Sequence, residues 1–401
     1  MSLLRRLRNL LSGPTHQLAL EQEPEAPSAR DALAAIRELS QAVQNDPNAV
    51  EIYLALGNLY RQQGDIERAV QIRNTLIVRP NLASRFKARA FFELGRDFRR
   101  SGVLDRAQQA FVEARSLGAD PQEIALELAQ LAVDSGDFAK ASHLYGKLRN
   151  PAAQAYYLTR HADELLAAGQ TSEAKVHFGR ALRLYSGAVE AWVGLLLLHL
   201  QAEDWRKSRR ILNNGLENSS TSLQFLFFEG ILRIMEQNVE MRPESTSATM
   251  PMSTLMEGTV EASPTDIHSP APHVPTTFGE HCTAIALEAI ERQEPELILL
   301  YYAALFLRKS QREPEAIEWL AKALVLRPDF WAARLELLSI TKKDQSLLPV
   351  FKAQLEYFLI QVRSASRFIC CQCGFRGNNV FYLCPRCHSW HSIIFRVALQ
   401  D

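Results

Sequence analysis

The sequence predicts an all-α fold built from repeated pairs of helices, followed by a small C-terminal ribbon that binds a metal. Two observations support this prediction: small and aromatic residues recur about every 34 residues, and five of the six cysteines lie within residues 370–387. The chain has 401 residues, of which 47% are hydrophobic and 22% charged, so it is long enough for several packed units. Its 45 basic and 45 acidic residues balance, which argues against a surface that binds nucleic acid throughout.

Residues 1–13 are predicted to form an amphipathic segment, because the leucines fall on one helical face and the arginines on the other. Such a helix can lie in the interface of an anionic membrane, or it can dock on the protein or fray. The candidate membrane contacts are Leu3, Leu4, Arg5, Arg6, Leu7, Arg8, Leu10 and Leu11. Residues 14–27, which include an acidic stretch at 21–25, are typical of a solvated linker.

Residues 28–237 contain a first block of repeats, which a helix over about residues 28–44 is expected to cap. Small residues recur where the two helices of a pair approach most closely, and glycines mark the turns between them. The marker alanines are Ala69, Ala107, Ala141 and Ala174, separated by 38, 34 and 33 residues. This period is typical of tetratricopeptide repeats, which stack into a right-handed superhelix, or α-solenoid. A fifth, looser unit has Ser208 in the alanine position and Glu203 at the turn.

The repeat pattern stops between residues 238 and 279. This range is rich in Ser, Thr, Pro and Met, and its composition predicts a disordered insertion. A second block of repeats follows over residues 280–363, with the markers Ala316, Leu320, Ala323 and Pro328. The sequence contains no run of about eighteen apolar residues, so it predicts no membrane-spanning segment. Aromatic residues in both blocks are interpreted as core residues.

Residues 364–401 form the predicted ribbon, with the candidate metal ligands Cys370, Cys373, Cys384 and Cys387. Each Cys-x-x-Cys pair can direct two thiolates at one point, and two pairs together give the tetrahedral site of zinc or iron. The lack of an evident secretory signal favours a metal over a pair of disulfides. Both iron and zinc suit four thiolates, so either is a candidate cofactor.

The remaining cysteines and histidines are expected to have other roles. Cys371 leaves a single residue before Cys373 and is interpreted as surplus. Cys282 is interpreted as a small buried apolar residue, and His388 and His391 as surface residues of the ribbon. The ribbon is expected either to fold back on the repeats or to present a second contact face.

Several segments resemble the lipopolysaccharide assembly protein B family, bacterial tetratricopeptide-repeat proteins that end in a rubredoxin-like metal-binding domain. The resemblance is carried by LGNLYR at 56–61, IRNTL at 72–76, ELGRDF at 93–98 and the ribbon from Cys370 to Trp390. It implies a cytoplasmic adaptor at the inner membrane that presents the lipid A deacetylase to a membrane AAA protease and thereby tunes lipopolysaccharide synthesis. Family members typically begin with a transmembrane helix and lack the 238–279 insertion, and this chain departs from them in both respects.

The sequence contains no phosphate-binding loop, nucleophile elbow or His-Glu-x-x-His motif, and a four-thiolate site leaves no open position for a substrate. We therefore expect a non-enzymatic adaptor, because stacked helix pairs form a concave surface that can hold another protein. Two alternatives remain. Iron in the ribbon would support electron transfer or redox sensing. A zinc ribbon could bind RNA through Arg367, Arg376, Arg386 and Arg396, which stand among Phe368, Phe375, Tyr382 and Trp390.

Overall fold

The structure, a computed structural model, describes residues 29–45, 49–241, 277–294, 296–342, 348–363 and 365–398. The predicted amphipathic segment 1–13, the linker 14–27 and residues 242–276 of the predicted insertion lie outside the described residues. The chain forms two compact units, residues 1–164 and residues 165–401. Among the described helices, none combines the length and the apolar composition needed to cross a bilayer.

The described part of the first unit is entirely helical apart from its turns. Its first helix occupies the place predicted for the cap, and consecutive helices pack against each other. The helices are α1 (Ala29–Asn45), α2 (Val50–Gln63), α3 (Ile66–Ile77), α4 (Ser84–Arg100), α5 (Leu104–Ser116), α6 (Pro121–Asp134), α7 (Phe138–Lys147) and α8 (Pro151–Ala167).

The second unit combines helices with one small sheet. Its helices are α9 (Thr171–Leu184), α10 (Val189–Gln201), α11 (Trp205–Asn218), α12 (Phe225–Met241), α13 (Phe278–Glu291), α14 (Leu297–Lys309), α15 (Glu313–Leu326), α16 (Trp331–Thr341) and α17 (Pro349–Arg363), with a short 3₁₀ helix at Thr221–Leu223. The strands β1 (Phe368–Cys370), β2 (Arg376–Gly377) and β3 (Ile393–Phe395) form an antiparallel sheet in the order β2-β1-β3. Helix α12 and the Thr277 cap of α13 occupy both ends of the range 238–279.

A residue in the left-handed conformation ends the first helix of successive repeats, and in three of the described repeats an aspartate then caps the second helix. Gly64 ends α2 with a φ of 84°, a left-handed conformation that glycine adopts without steric cost. Asp65 then caps α3 by accepting a hydrogen bond from a backbone N–H group. Asp204 caps α11 in the same way, but Glu203 takes the left-handed position there, with a φ of 53°. The looser fifth repeat therefore keeps the turn geometry without the glycine.

The marker positions bring the two helices of a pair into direct contact. All four marker alanines and Ser208 have no exposed surface. The buried Ser208 hydroxyl keeps a hydrogen bond by donating to the Asp204 carbonyl oxygen at 2.9 Å. A methyl group on Gly95 would lie only 2.5 Å from the Phe111 ring, so α4 and α5 approach too closely for a larger residue. The predicted fold class, tetratricopeptide-repeat helices followed by a small four-cysteine domain, is confirmed.

The ribbon packs into the aromatic core of the second unit. Phe368 and Phe395 face each other across β1 and β3, and the ring of Phe368 stacks on Phe225 of α12 with centroids 5.7 Å apart. Phe395 also lies 5.6 Å from the Tyr301 ring of α14. The Trp331 indole N–H donates to the Arg396 carbonyl oxygen at 2.9 Å. Of the two arrangements expected for the ribbon, the structure shows the one in which it folds back on the repeats.

A buried ion-pair network crosses the first unit. The side chains of Arg73, Asp97 and Glu93 have at most 1% exposed surface. Arg61 binds the carboxylates of Glu93 and Asp97, each at 2.8 Å, and Arg73 contacts the second Asp97 oxygen at 3.3 Å. The network joins α2 and α3 to α4, so it fixes the first two helix pairs relative to each other.

We expect the first unit to lose stability in acid through Glu93. Burial alone would raise the pKa of Glu93, but Arg61 and its neighbours outweigh burial and lower that pKa to about 2. Because this value is below the ordinary 4.5, ionised Glu93 stabilises the fold above pH 4.5, and the contribution is lost as the pH falls from 4.5 towards 2. Glu93→Gln should lower the free energy of unfolding by about 3 kcal/mol at neutral pH.

Urea unfolding of the full chain, followed by circular dichroism between pH 2 and pH 7, measures this effect. The difference in the free energy of unfolding between wild type and Glu93→Gln should shrink in acid. The exposed control Glu113→Gln should match wild type at every pH. A gap that stays constant down to pH 2 would contradict the linkage to Glu93.

Candidate metal centre

The ribbon brings four sulfur atoms to one point. The sulfur atoms of Cys370, Cys373, Cys384 and Cys387 all lie within 4.8 Å of one another. The Cys370 and Cys387 sulfurs are 3.7 Å apart, and those of Cys373 and Cys384 are 3.6 Å apart. Metal–sulfur bonds of about 2.3 Å in a tetrahedron place the sulfurs roughly 3.8 Å apart. The four cysteines can therefore hold one metal ion.

Two similar backbone turns position these cysteines. Gly374 donates its N–H to the Cys370 carbonyl oxygen at 3.0 Å and adopts a φ of 68°. The backbone N–H of His388 donates to the Cys384 carbonyl oxygen at 2.9 Å, and His388 adopts a φ of 55°. The second turn thus reaches the left-handed conformation without a glycine.

The electrostatics of the site favour a bound cation. Burial raises the pKa of the Cys370 thiol, but the Ser392 hydroxyl, 3.2 Å from its sulfur, and nearby backbone N–H groups lower that pKa to about 6. Burial raises the pKa of the Cys373 thiol to about 12, although the Phe375 N–H opposes the rise. Adjacent thiolates repel one another, so the four cannot ionise together without a compensating positive charge. A divalent metal supplies that charge.

The other two cysteines lie apart from the four-sulfur group. The Cys371 side chain is exposed, although it directly follows Cys370. Cys282 is fully buried, and burial raises the pKa of its thiol to about 12. It therefore behaves as a small apolar residue of α13, as the sequence indicated.

His391 connects the ribbon to the repeats. Its Nε2 atom lies 2.9 Å from a carboxylate oxygen of Glu190 on α10, whose side chain is only 5% exposed. His391, interpreted from the sequence as a surface residue, is half-buried against α10 with 18% of its side chain exposed, whereas His388 is exposed as expected. No local sequence pattern could indicate this contact, because its two residues are 201 positions apart in the chain.

One short strand links the sulfur group to the helical core. Cys370 and Phe368 stand two residues apart on β1, and both are buried, with Ile369 between them less so. Alternate residues of a strand share a face, so Cys370 and Phe368 point to the same side of β1. A displacement of Cys370 would therefore also displace the Phe368 ring, which stacks on Phe225. The candidate metal site is therefore attached to the second unit through its own strand.

Comparisons with known proteins find a repeat family and curated relatives. The tetratricopeptide repeat family matches residues 19–79 and 159–221. Lipopolysaccharide assembly protein B of Escherichia coli strain K12 is 22% identical over 374 residues, covering 88% of this chain and 82% of that protein. The protein of the same name from Haemophilus influenzae is 22% identical over 353 residues, covering 86% and 78%.

Solved structures are also similar to this chain, at low sequence identity. A tetratricopeptide repeat protein from Parabacteroides merdae is 16% identical and covers 77% of this chain and 99% of its own, with a TM-score of 0.31. BtubC from P. vanneervenii is 15% identical and covers 57% and 97%, also with a TM-score of 0.31. The resemblance to lipopolysaccharide assembly protein B, inferred above from motifs, is confirmed by the curated relatives together with the repeats and the four-cysteine cluster.

We expect Cys373→Ser and Cys384→Ser each to abolish metal binding, because a hydroxyl replaces a thiolate poorly in a tetrahedral sulfur site. Cys371→Ser should leave the metal content unchanged, because this exposed sulfur is not part of the four-sulfur group. Elemental analysis of protein purified without added metal measures both outcomes. A Cys373→Ser protein with a full complement of metal would contradict the assignment.

The same variants provide a second readout of the site. A ribbon of some thirty residues has too small a core to keep its shape without metal, so the rings that β1 and β3 contribute to the second unit should also loosen. Cys384→Ser should shift the Trp331 emission to longer wavelength, and subtraction of the spectrum of a Trp331→Phe variant isolates that signal. Cys371→Ser serves as the matched control.

Proposed function

We propose that this chain is a non-enzymatic adaptor in lipopolysaccharide synthesis, whose repeats hold another protein and whose ribbon binds one metal ion. The observation that carries the proposal is the similarity to proteins named lipopolysaccharide assembly protein B over 88% of the chain, together with the order of repeats followed by a four-cysteine ribbon. By resemblance, the finer proposal is that the chain presents the lipid A deacetylase to a membrane AAA protease.

The chemistry of the donor set supports a structural metal. We propose Cys370, Cys373, Cys384 and Cys387 as the ligands of one iron or zinc ion, because four thiolates suit both metals. Four protein ligands complete a tetrahedron and leave no position for a substrate. The metal then stabilises the ribbon, and the ribbon contributes Phe368 to the core of the second unit.

The surroundings of the ribbon disfavour the RNA-binding alternative. Phe368 is fully buried against the repeats and cannot stack on a base, and Arg396 is only 7% exposed. Single-stranded nucleic acid needs accessible aromatic faces beside accessible cations. Burial thus leaves Phe368 and Arg396 unavailable to RNA, although both belong to the aromatic and basic residues that suggested RNA binding.

We further propose that the segment Leu3 to Leu11, which lies outside the described residues, attaches the chain to the cytoplasmic face of the inner membrane. Three arginines add roughly 1 kcal/mol each near an anionic leaflet, and the leucines add a modest apolar contribution. Replacing Arg5, Arg6 and Arg8 together with Glu should move the protein from the membrane fraction to the soluble fraction at low salt. A wild-type protein already soluble at low salt, or one that resists alkaline carbonate, would contradict a peripheral attachment.

The adaptor role is tested in the source bacterium. We expect a tagged full-length chain to co-purify with the lipid A deacetylase, and depletion of the chain to raise the deacetylase level, because degradation would lose its adaptor. Restoring the wild-type chain should reverse the change, whereas Cys384→Ser should restore it less well. A deacetylase level and lipopolysaccharide content that do not respond to depletion would overturn the proposal.

A further inference from the structure

The last of the described helices, α17, packs on the second unit through one narrow stripe of side chains. Leu359 is buried, and Leu355 and Val362 are half-buried against the core of this unit. These positions follow the spacing i, i+4 and i+7, so they lie along a single side of the helix. The other residues from 350 to 361 are exposed.

The exposed side of α17 carries large apolar residues, where a surface helix ordinarily carries polar ones. We call the five of them the apolar face of α17: Val350, Phe351, Tyr357, Phe358 and Ile360. Their exposed fractions are 76%, 56%, 57%, 60% and 63%, in that order. The Tyr357 and Phe358 rings lie against each other, with centroids 5.9 Å apart.

No charged residue interrupts the apolar face. At about 100° per residue, its members occupy one half of the helix together with three uncharged exposed residues, Ala353, Gln354 and Gln361. Lys352 and Glu356 fall on the opposite half, beside the buried stripe. Glu356 is directed towards Lys342, whose Nζ atom lies 3.4 Å from its carboxylate. The apolar face therefore has no charge of its own.

Such a face is unusual at the end of a stack of helical repeats. Terminal repeats carry a polar outer surface, because no further repeat covers them. The first described helix, α1, follows this rule more closely, since it exposes Arg37 and Glu38 beside Leu33. Contiguous exposed apolar surface on a folded protein marks a site of interaction. The composition of α17 therefore indicates that another surface covers it.

The size of the apolar face suits an interface between proteins. A fully exposed side chain of these types offers about 150–200 Å², so the exposed fractions leave roughly 600 Å² accessible on one chain. Two such faces would together bury roughly 1,200 Å², which reaches the range of stable protein–protein interfaces. Aromatic residues such as Phe351, Tyr357 and Phe358 are enriched in the cores of these interfaces.

The chemistry of the face fits a second copy of the same chain. A twofold axis brings each residue of a surface close to its own counterpart, so a charged surface would repel itself. The apolar face avoids this repulsion because it is uncharged. Homodimer interfaces are also more apolar than those of transient complexes.

An anionic membrane fits α17 less well. Helices that lie in such a membrane are rich in lysine and arginine on their polar side. The polar side of α17 has Lys352 and Arg363 against Glu356, so it offers an anionic leaflet little attraction. A protein surface is therefore the better match for this helix.

We propose that the apolar face of α17 binds the same face of a second copy of this chain, so that two α17 helices pack together across a twofold axis. Gln354 and Gln361 lie within the face, and their amides can hydrogen-bond across the interface rather than stay buried without partners. The inference does not depend on the proposed adaptor function, because it rests on the exposure and composition of α17.

Sedimentation equilibrium of the full chain over a range of concentrations tests the proposal. One chain has a mass of 45.2 kDa, and the wild type should sediment with twice this mass and dissociate on dilution. The double variant Val350→Glu and Tyr357→Glu should raise the dissociation constant of the dimer at least tenfold, because it would bury unpaired charges. Glutamate suits a helix, so the circular dichroism spectrum of this variant should match wild type.

The double variant Val112→Glu and Val176→Glu is the matched control. These valines are 43% and 64% exposed on α5 and α9, so the control makes the same change of charge away from α17. It should leave the dissociation constant of the dimer unchanged. A wild type that sediments as a single chain at every concentration would overturn the proposal. A dimer that both double variants weaken equally, or that neither weakens, would also overturn it.

A photo-crosslink identifies what covers the face in the full chain. Benzoylphenylalanine introduced in place of Tyr357 should link to α17 of another copy, and mixing isotopically heavy with unlabelled chains separates links between copies from links within one. A link only to residues 242–276 of the same chain, or only to a different protein in the bacterium, would overturn the proposal. Either result would leave the adaptor function standing, whereas a deacetylase level that ignores depletion of the chain would leave the dimer standing.

Discussion

Marker residues with no exposed surface let the two helices of each pair touch, and most of the architecture depends on this contact. Where a methyl group at Gly95 would meet the Phe111 ring at 2.5 Å, the helices cannot separate without opening a cavity. The aromatic ring fills the gap that the small residues leave. Because the same contact recurs in successive pairs, the two helices of each pair approach each other at equivalent positions.

Local features of the fold could be predicted from the sequence, whereas contacts between distant segments could not. Turn glycines and marker alanines are required by the geometry of the helix pair in which they lie. Their spacing along the sequence was therefore enough to locate the repeats. The two Cys-x-x-Cys pairs likewise specify the candidate metal site within eighteen residues. The pair of His391 and Glu190 has no such local signature, and neither does the burial of Arg73, whose partner Asp97 belongs to the next repeat.

Glu203 stands at a turn position that is glycine in the other repeats of the first block, so the backbone conformation is kept although the sequence pattern is not. The left-handed conformation costs glycine nothing, but other residues adopt it at a modest cost when the flanking helices impose it. His388 does the same in the second cysteine turn, with a φ of 55°. A motif search that demands glycine would miss both positions, although the backbone there follows the same path.

Attachment of the ribbon through Phe368 and Phe395 affects how gene truncations of this protein should be interpreted. A stop codon placed before residue 364 removes the rings that cover Phe225 and Tyr301 and would leave an apolar surface on the helices, a feature associated with aggregation. The phenotype of such an allele would then combine the loss of the metal with damage to the neighbouring repeats. Point substitutions at the sulfur atoms, rather than deletion of the ribbon, are the alleles that separate these two contributions.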